Sequence, residues 1–308
     1  MLRWITGLIS VLLFAVTAGC GGSDDDPKNV VQVAQSDSRF SILVEAVQAA
    51  GLTNTLAAPG PATVFAPTND AFAALLGELG VTREQLLANK PLLTAVLQYH
   101  VVAGQISSSG VPLSKAVNSV GGGFFKVDKV GSGLVITDGR NRTSKIVQAD
   151  IAASNGVIHA IDKVLLPANK NVVQTAVATP DFSILVEAVT AAGLGETLSG
   201  PGPYTVFAPT NAAFASLLTE LGLTKEQLLA NKPLLTKVLT YHVVPGLVLK
   251  GGVPINSPIK TVEGETFTVS PALAILDQRG RQSNIVATDV LASNGVIHAL
   301  DKVILPAP

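Results

Sequence analysis

Four histidines are the residues of this chain best suited to chemistry, and they form two matched sets: His100 and His159, then His242 and His298. Imidazole serves as a base or a metal ligand near neutral pH, so its neighbours decide its use. Ser154, His159 and Asp162 return as Ser293, His298 and Asp301, the three residue types of a hydrolytic triad. Ser154, however, sits at the mouth of a tight turn, where serine is expected for turn chemistry. The three-residue step from His159 to Asp162 places them on opposite faces of a strand. Zinc needs three or four protein ligands, and the only cysteine is Cys20. No nucleophile elbow, phosphate-cradling loop or dinucleotide fingerprint is present. The residues therefore predict no catalytic centre, no metal and no cofactor.

Two arginine pairs come next. Asp138-Gly139-Arg140-Asn141-Arg142 corresponds to Asp277-Gln278-Arg279-Gly280-Arg281. Arginines one residue apart on an exposed loop can grip a carboxylate or sulfate through bidentate hydrogen bonds; a solvated hairpin turn is the alternative. Asn141-Arg142-Thr143 also forms a glycosylation sequon.

The elements that must position these groups are written twice. Phe40 to Val47 returns as Phe182 to Val189, and Thr63 to Asn69 as Thr205 to Asn211, both 142 residues later. The offset slips to 139 by Ser154 and Ser293. Such a period is domain-sized, well beyond a solenoid unit of roughly 20 to 50 residues. Two domains are expected, over 28–168 and 170–308, joined by a linker too short to let them move freely.

Within a copy, Asp37, or Thr179-Pro180, marks a helix start. Phe40, Leu43, Val44 and Val47 then recur at helical spacing until Gly51 or Gly193 ends the run. Thr63 to Ala66 reads as a short strand stopped by Pro67, with Thr68 capping the helix that follows. Thr82 to Gln85 and Thr224 to Gln227 fit capping boxes. Pro91 opens a further helix carrying Leu92, Leu93, Val96, Leu97 and His100 along one face, which predicts a buried, hydrogen-bonded imidazole. Asn155-Gly156 signals a hairpin whose turn tolerates positive φ. Helices first and strands later predict an α+β fold.

At 47% hydrophobic and 14% charged, the 308 residues suit compact domains. A net charge of −1, with neither copy strongly basic, argues against a nucleic-acid partner. Residues 1–19 read as an export signal, with Arg3 ahead of an apolar run from Ile5 to Ala18 too short to span a bilayer as a stable helix. Ala18-Gly19-Cys20 resembles the boundary of a bacterial lipoprotein precursor, with Thr17 departing from the usual Leu, Val or Ile. That resemblance implies a lipid on Cys20, a polar tether over 20–27, and an exported protein anchored in a membrane at the cell surface or periplasm.

Thr63 to Phe72, Tyr99-His100 and Asn155 to Asp162, repeated at Thr205 to Phe214, Tyr241-His242 and Asn294 to Asp301, resemble the fasciclin domain family. The resemblance implies two tandem domains, each a β-wedge or sandwich with several helices. It also implies a non-enzymatic role in adhesion, with a cell-surface or matrix protein or a polysaccharide as partner. By the same resemblance, receptor contacts would fall on Tyr99, His100, Tyr241 and His242, beside the Arg140, Arg142, Arg279 and Arg281 loops. The alternative is a periplasmic or secreted binding protein for a carbohydrate or small ligand.

Overall fold

The computed structural model describes residues 27–308; the expected export signal over 1–19 and the expected lipid site Cys20 lie outside them. In the first copy α1 (Val30–Gln35), α2 (Ser41–Ala50) and α3 (Thr53–Ala57) precede β1 (Ala62–Pro67). Then come α4 (Asn69–Leu79), α5 (Arg83–Ala88) and α6 (Lys90–Tyr99). Strands β2 (Val101–Ala103), β3 (Ala116–Asn118), β4 (Phe124–Val130), β5 (Gly133–Thr137), β6 (Thr143–Ala153) and β7 (Gly156–Ile161) complete it. The second copy repeats the order with α7 (Val172–Val177), α8 (Ser183–Ala192), α9 (Gly195–Ser199), β8 (Tyr204–Pro209), α10 (Asn211–Leu221), α11 (Lys225–Ala230) and α12 (Lys232–Tyr241). Its strands are β9 (Val243–Pro245), β10 (Ile259–Lys260), β11 (Thr266–Val269), β12 (Ala274–Leu276), β13 (Gln282–Ala292) and β14 (Gly295–Leu300).

Local chemistry sets most helix starts. Thr68 and Thr210 cap α4 and α10, and Thr82 and Thr224 close the expected capping boxes with Gln85 and Gln227. Asp37 caps a short 3-10 turn that leads into α2, while Thr179 makes no side-chain cap bond and its hydroxyl donates back to Thr175 O at 2.9 Å. Asn89 caps α6, so Pro91 is its second residue rather than its first. Helices α1 and α3, which the sequence patterns do not signal, are one-turn pieces, and Asn29 forms a capping box with Gln32 at the start of α1.

Each domain is a curled seven-stranded sheet, ordered β2-β1-β7-β6-β5-β4-β3 and, in the second copy, β10-β11-β12-β13-β14-β8-β9. β1 and β7 run parallel within it, and every other pairing is antiparallel. All six residues of β7 are buried because both faces are covered. Val64, Ala66, Ile158 and Ala160 face a core shared with the helices. Phe65 and Ile161 face the interior of the curl, where Phe65, Phe125 and Tyr99 stack edge to face.

The Asn155-Gly156 hairpin forms, but for a different reason from the one expected. Neither residue has a positive φ. A Cβ on Gly156 would lie 2.0 Å from Ala62 O, so glycine is required for the parallel strand to approach. Asn155 accepts from Val30 N at 2.9 Å and donates to Leu56 O and Ala58 O, tying the hairpin to α1 and α3. Asn294 and Gly295 repeat both devices.

Candidate functional site

The Tyr-His pairs lie inside the protein. Tyr99 is 1% exposed and donates to Phe124 O at 2.6 Å; Tyr241 donates to Thr266 O at 2.9 Å. His100 closes the C-terminus of α6, where its Nδ1 donates to Val96 O at 2.7 Å and its Nε2 accepts from Leu165 N at 2.8 Å. On this helix Leu93, Val96 and Leu97 are buried while Leu92 is exposed, so of the residues expected on the inner face Leu92 alone drops out. His242 repeats the arrangement with Val238 O and Ile304 N. Burial pushes both imidazoles down to about 4, only partly opposed by the carbonyl each one faces. They are neutral, Nδ1-protonated struts that bind the end of a helix to the last segment of the domain.

His159 and His298 are also buried, in the opposite tautomer. Nε2 donates to Ile106 O or Val248 O, both at 2.9 Å, and Nδ1 accepts from the backbone N–H of Asp150 or Asp289 at 3.2 Å. Neither ring has a nitrogen left to activate a serine. Asp162 and Asp301 accept from Lys145 N and Asn284 N at 2.7 Å and so pin the edge of the hairpin.

The arginines fold back onto their own domains. Arg142 reaches Glu78 and donates to Val164 O, and Arg281 pairs with Glu220 at 2.8 Å. Arg279 donates to Pro306 O at 2.9 Å, and Arg140 packs in a cleft with Phe72, Leu79 and Leu92. The turns themselves are organised by buried Asp138 and Asp277. Each accepts from both arginine backbone N–H groups and, through its second oxygen, from Leu166 N or Leu305 N. Among the described residues, no three His, Cys, Asp or Glu side chains gather to hold a metal.

A polar cluster with no motif to announce it lies between the domains. In β13 a bulge turns Asp289 to a φ of 60°, as its counterpart in β6 turns Asp150 to 59°. The Asp289 carboxylate accepts from Lys250 N at 2.8 Å and from the Lys126 ammonium of the first domain at 3.0 Å. Lys126 also pairs with Asp128 at 3.0 Å. Burial works against its charge, but the two carboxylates prevail and hold its pKa above the usual lysine value. Asn141 donates to Leu291 O at 3.0 Å and accepts from Leu291 N at 2.7 Å, occupying the amide of the sequon. Gly251 N donates to Ser114 O at 2.9 Å, and a Cβ on Gly251 would lie 2.8 Å from that oxygen. Leu249, Leu291 and Val296 pack there against Ala116 and Phe124. Aligning the copies gives the available signal, because Lys126 corresponds to Thr268, Asn141 to Gly280 and Ser107-Ser108-Ser109 to Leu249-Lys250-Gly251.

The Fasciclin domain family model matches residues 38–167 and again 180–306. The pig transforming growth factor-beta-induced protein ig-h3 (Sus scrofa) is 31% identical over 250 residues, covering 80% of this chain and 35% of that protein. Human periostin (Homo sapiens) is 28% identical over 289 residues, covering 92% of this chain and 32% of its own length. The chain thus spans about a third of these relatives. Protein sll1483 of Synechocystis is 44% identical over 147 residues, 46% of this chain and 76% of that one. A solved FAS1 domain pair from the insect cell adhesion molecule Fasciclin I covers 89% of this chain, and 95% of its own, at 19% identity and a TM-score of 0.44. With the family model matching both copies from their first long helix to their last strand, this chain belongs to the Fasciclin domain family.

Proposed function

We propose that the chain is a non-enzymatic, surface-anchored lipoprotein that mediates cell adhesion, or binding to a matrix protein or polysaccharide, through its two Fasciclin domains. The observation that carries this reading is the fate of the repeated polar side chains. The four histidines, the two tyrosines and the paired aspartates are all consumed by their own backbone or by the neighbouring domain. A protein whose best catalytic candidates serve as struts works through the surface those struts support. Acyl chains on Cys20 would hold that surface at a membrane, each buried methylene contributing about 0.8 kcal/mol. The polar run Gly21 to Pro27 would serve as the spacer.

Beads coated with residues 28–308 should be retained saturably by cells, matrix proteins or glycans in a binding screen. Absence of saturable retention across all three classes would overturn the adhesion reading. Cys20→Ser should move the full chain from the detergent phase to the aqueous phase. An unmodified mature mass for the wild type would overturn the anchor. His100→Ala and His242→Ala should lose binding only in step with melting temperature. Loss of binding without loss of stability would mark the pairs as contact residues.

A further inference from the structure

We infer that the second domain binds a small apolar ligand, a short alkyl group with its polar head left in solvent, in the cleft between α7, α8 and the central strands. This site is independent of the adhesion surface.

The cleft is walled by Val172, Ala176, Leu185, Val186, Val189 and Leu198, and it encloses about 110 Å³. Its one titratable lining group is His242, whose two ring nitrogens are already bonded to Val238 O and Ile304 N. At the mouth the Thr190 hydroxyl turns away to Val186 O at 2.8 Å. Water needs two to four polar partners to settle in a cavity, whereas an apolar cavity of about 150 Å³ stays dry and accepts benzene or xenon. A space of about three quarters that volume, open at one end, suits the last few carbons of an alkyl chain rather than a whole lipid tail.

The first domain shows why the site belongs to the second. Its equivalent cleft between α1 and α2 encloses about 40 Å³. Three positions around the opening differ: Gln35 becomes Val177 at the end of the first helix, Gln48 becomes Thr190, and Thr53 becomes Gly195 at the start of the third. Each exchange shortens the side chain or removes its polar group. Val177 is left 62% exposed at the rim, and Val189 is more open than its counterpart Val47. The surrounding apolar wall is otherwise shared, Val30, Leu43, Val44 and Val47 matching Val172, Leu185, Val186 and Val189.

The test is a titration of the full chain with n-hexanol, followed through valine and leucine methyl resonances. The methyls of Val177, Val186, Val189 and Leu198 should shift saturably, with the equivalent methyls of the first domain responding at least tenfold more weakly. Val177→Gln with Thr190→Gln and Gly195→Thr installs the residues that the first domain carries. It should weaken the shift at least tenfold at an unchanged melting temperature; Gly195 has room for a side chain, with nothing within 4 Å of the point a Cβ would occupy. Should that variant fail to fold, the reciprocal Gln35→Val, Gln48→Thr and Thr53→Gly decides, and it should confer saturable binding on the first domain. Equal, unsaturable shifts in both domains, or wild-type binding by the triple variant, would overturn the proposal.

Discussion

Asp150 and Asp289 occupy the same bulge, in the same left-handed conformation, each donating its N–H to the corresponding histidine, and they end in opposite circumstances. Asp289 is 3% exposed and takes an ammonium from the neighbouring domain. Asp150 is exposed, and both of its oxygens are satisfied by Ser108, through the backbone N–H at 2.8 Å and through the hydroxyl. Those bonds, the hydroxyl's foremost, hold its carboxyl below the usual aspartate value. One duplicated edge has become a socket, while the other is closed by its own serine. The surrounding residues follow: Leu249, Gly251 and Leu291 line the socket where Ser107, Ser109 and Ala152 stand in the first domain. The matching plug differs as well, since the second domain carries Thr268 and Gly280 in place of Lys126 and Asn141. The contact is therefore heterologous and does not propagate.

Acid gives the largest expected effect, and it should strike both copies. His100 and His242 have pKa values lowered to about 4 in the fold, while an unfolded histidine protonates near 6.5. Below about pH 6.5 the unfolded chain binds the extra proton, so stability falls until the folded rings also protonate near pH 4. Above that window the stabilisation is fully present. The loss amounts to roughly 3 kcal/mol per domain. His298, also lowered by burial, adds a contribution of the same sign in the second domain. Urea unfolding at pH 7 and pH 4 checks this, and equal stability at the two values would remove the neutral-strut reading.

Lys126→Ala should come next. Stranding a buried carboxylate costs about 2 kcal/mol or more, but the domains can release that cost by separating. One melting transition should become two in calorimetry, while Thr268→Ala leaves the profile unchanged. Gly251→Ser, which copies Ser109, places a Cβ against Ser114 O and should weaken docking by about 1 kcal/mol. The smallest effect is expected for Ser108→Ala, which removes an exposed partner of Asp150 and should cost about 0.5 kcal/mol. A loss from Ser108→Ala as large as that from Lys126→Ala would erase the distinction between closed edge and socket.

What could be read from the sequence was what neighbours along the chain decide. The Thr82 and Thr224 capping boxes and the Thr68 cap rest on partners within a few residues, whereas the Asn155-Gly156 hairpin, legible as a turn, is held by Val30, Leu56, Ala58 and Ala62 far along the chain. The buried imidazole of His100 followed from helical spacing, although Leu92, expected on the same face, is exposed. Helix α1 escaped because six residues are too few for a periodic signal, and Asn155, 125 residues away, supplies one of its bonds. The Lys126–Asp289 pair escaped for a related reason. It depends on a bulge that re-aims one aspartate, and alternation along a strand gives no warning of a bulge. The reach of the four arginines was equally tertiary, set by where Glu78, Glu220 and the final segment of each domain come to lie.

The bonds of Asn155 and Asn294 also determine how the molecule bears tension. Lys28 O accepts from Ser154 N at 2.8 Å, and Val30 N donates to Asn155 Oδ1 at 2.9 Å. A pull applied at the N-terminus is thus delivered to the β6–β7 hairpin in the interior of the sheet, and no edge strand is peeled first. Lys170 O and Val172 N make the same connections to Ser293 and Asn294, so a pull transmitted through the linker meets an identical clasp. Each domain is therefore expected to yield first at its six-residue opening helix, with the rest of the fold intact while that helix gives way. In pulling experiments from residue 28, Asn155→Ala should lower the first rupture force and leave later ruptures unchanged. On the adhesion reading proposed above, the clasp would provide slack in small steps before a domain is lost.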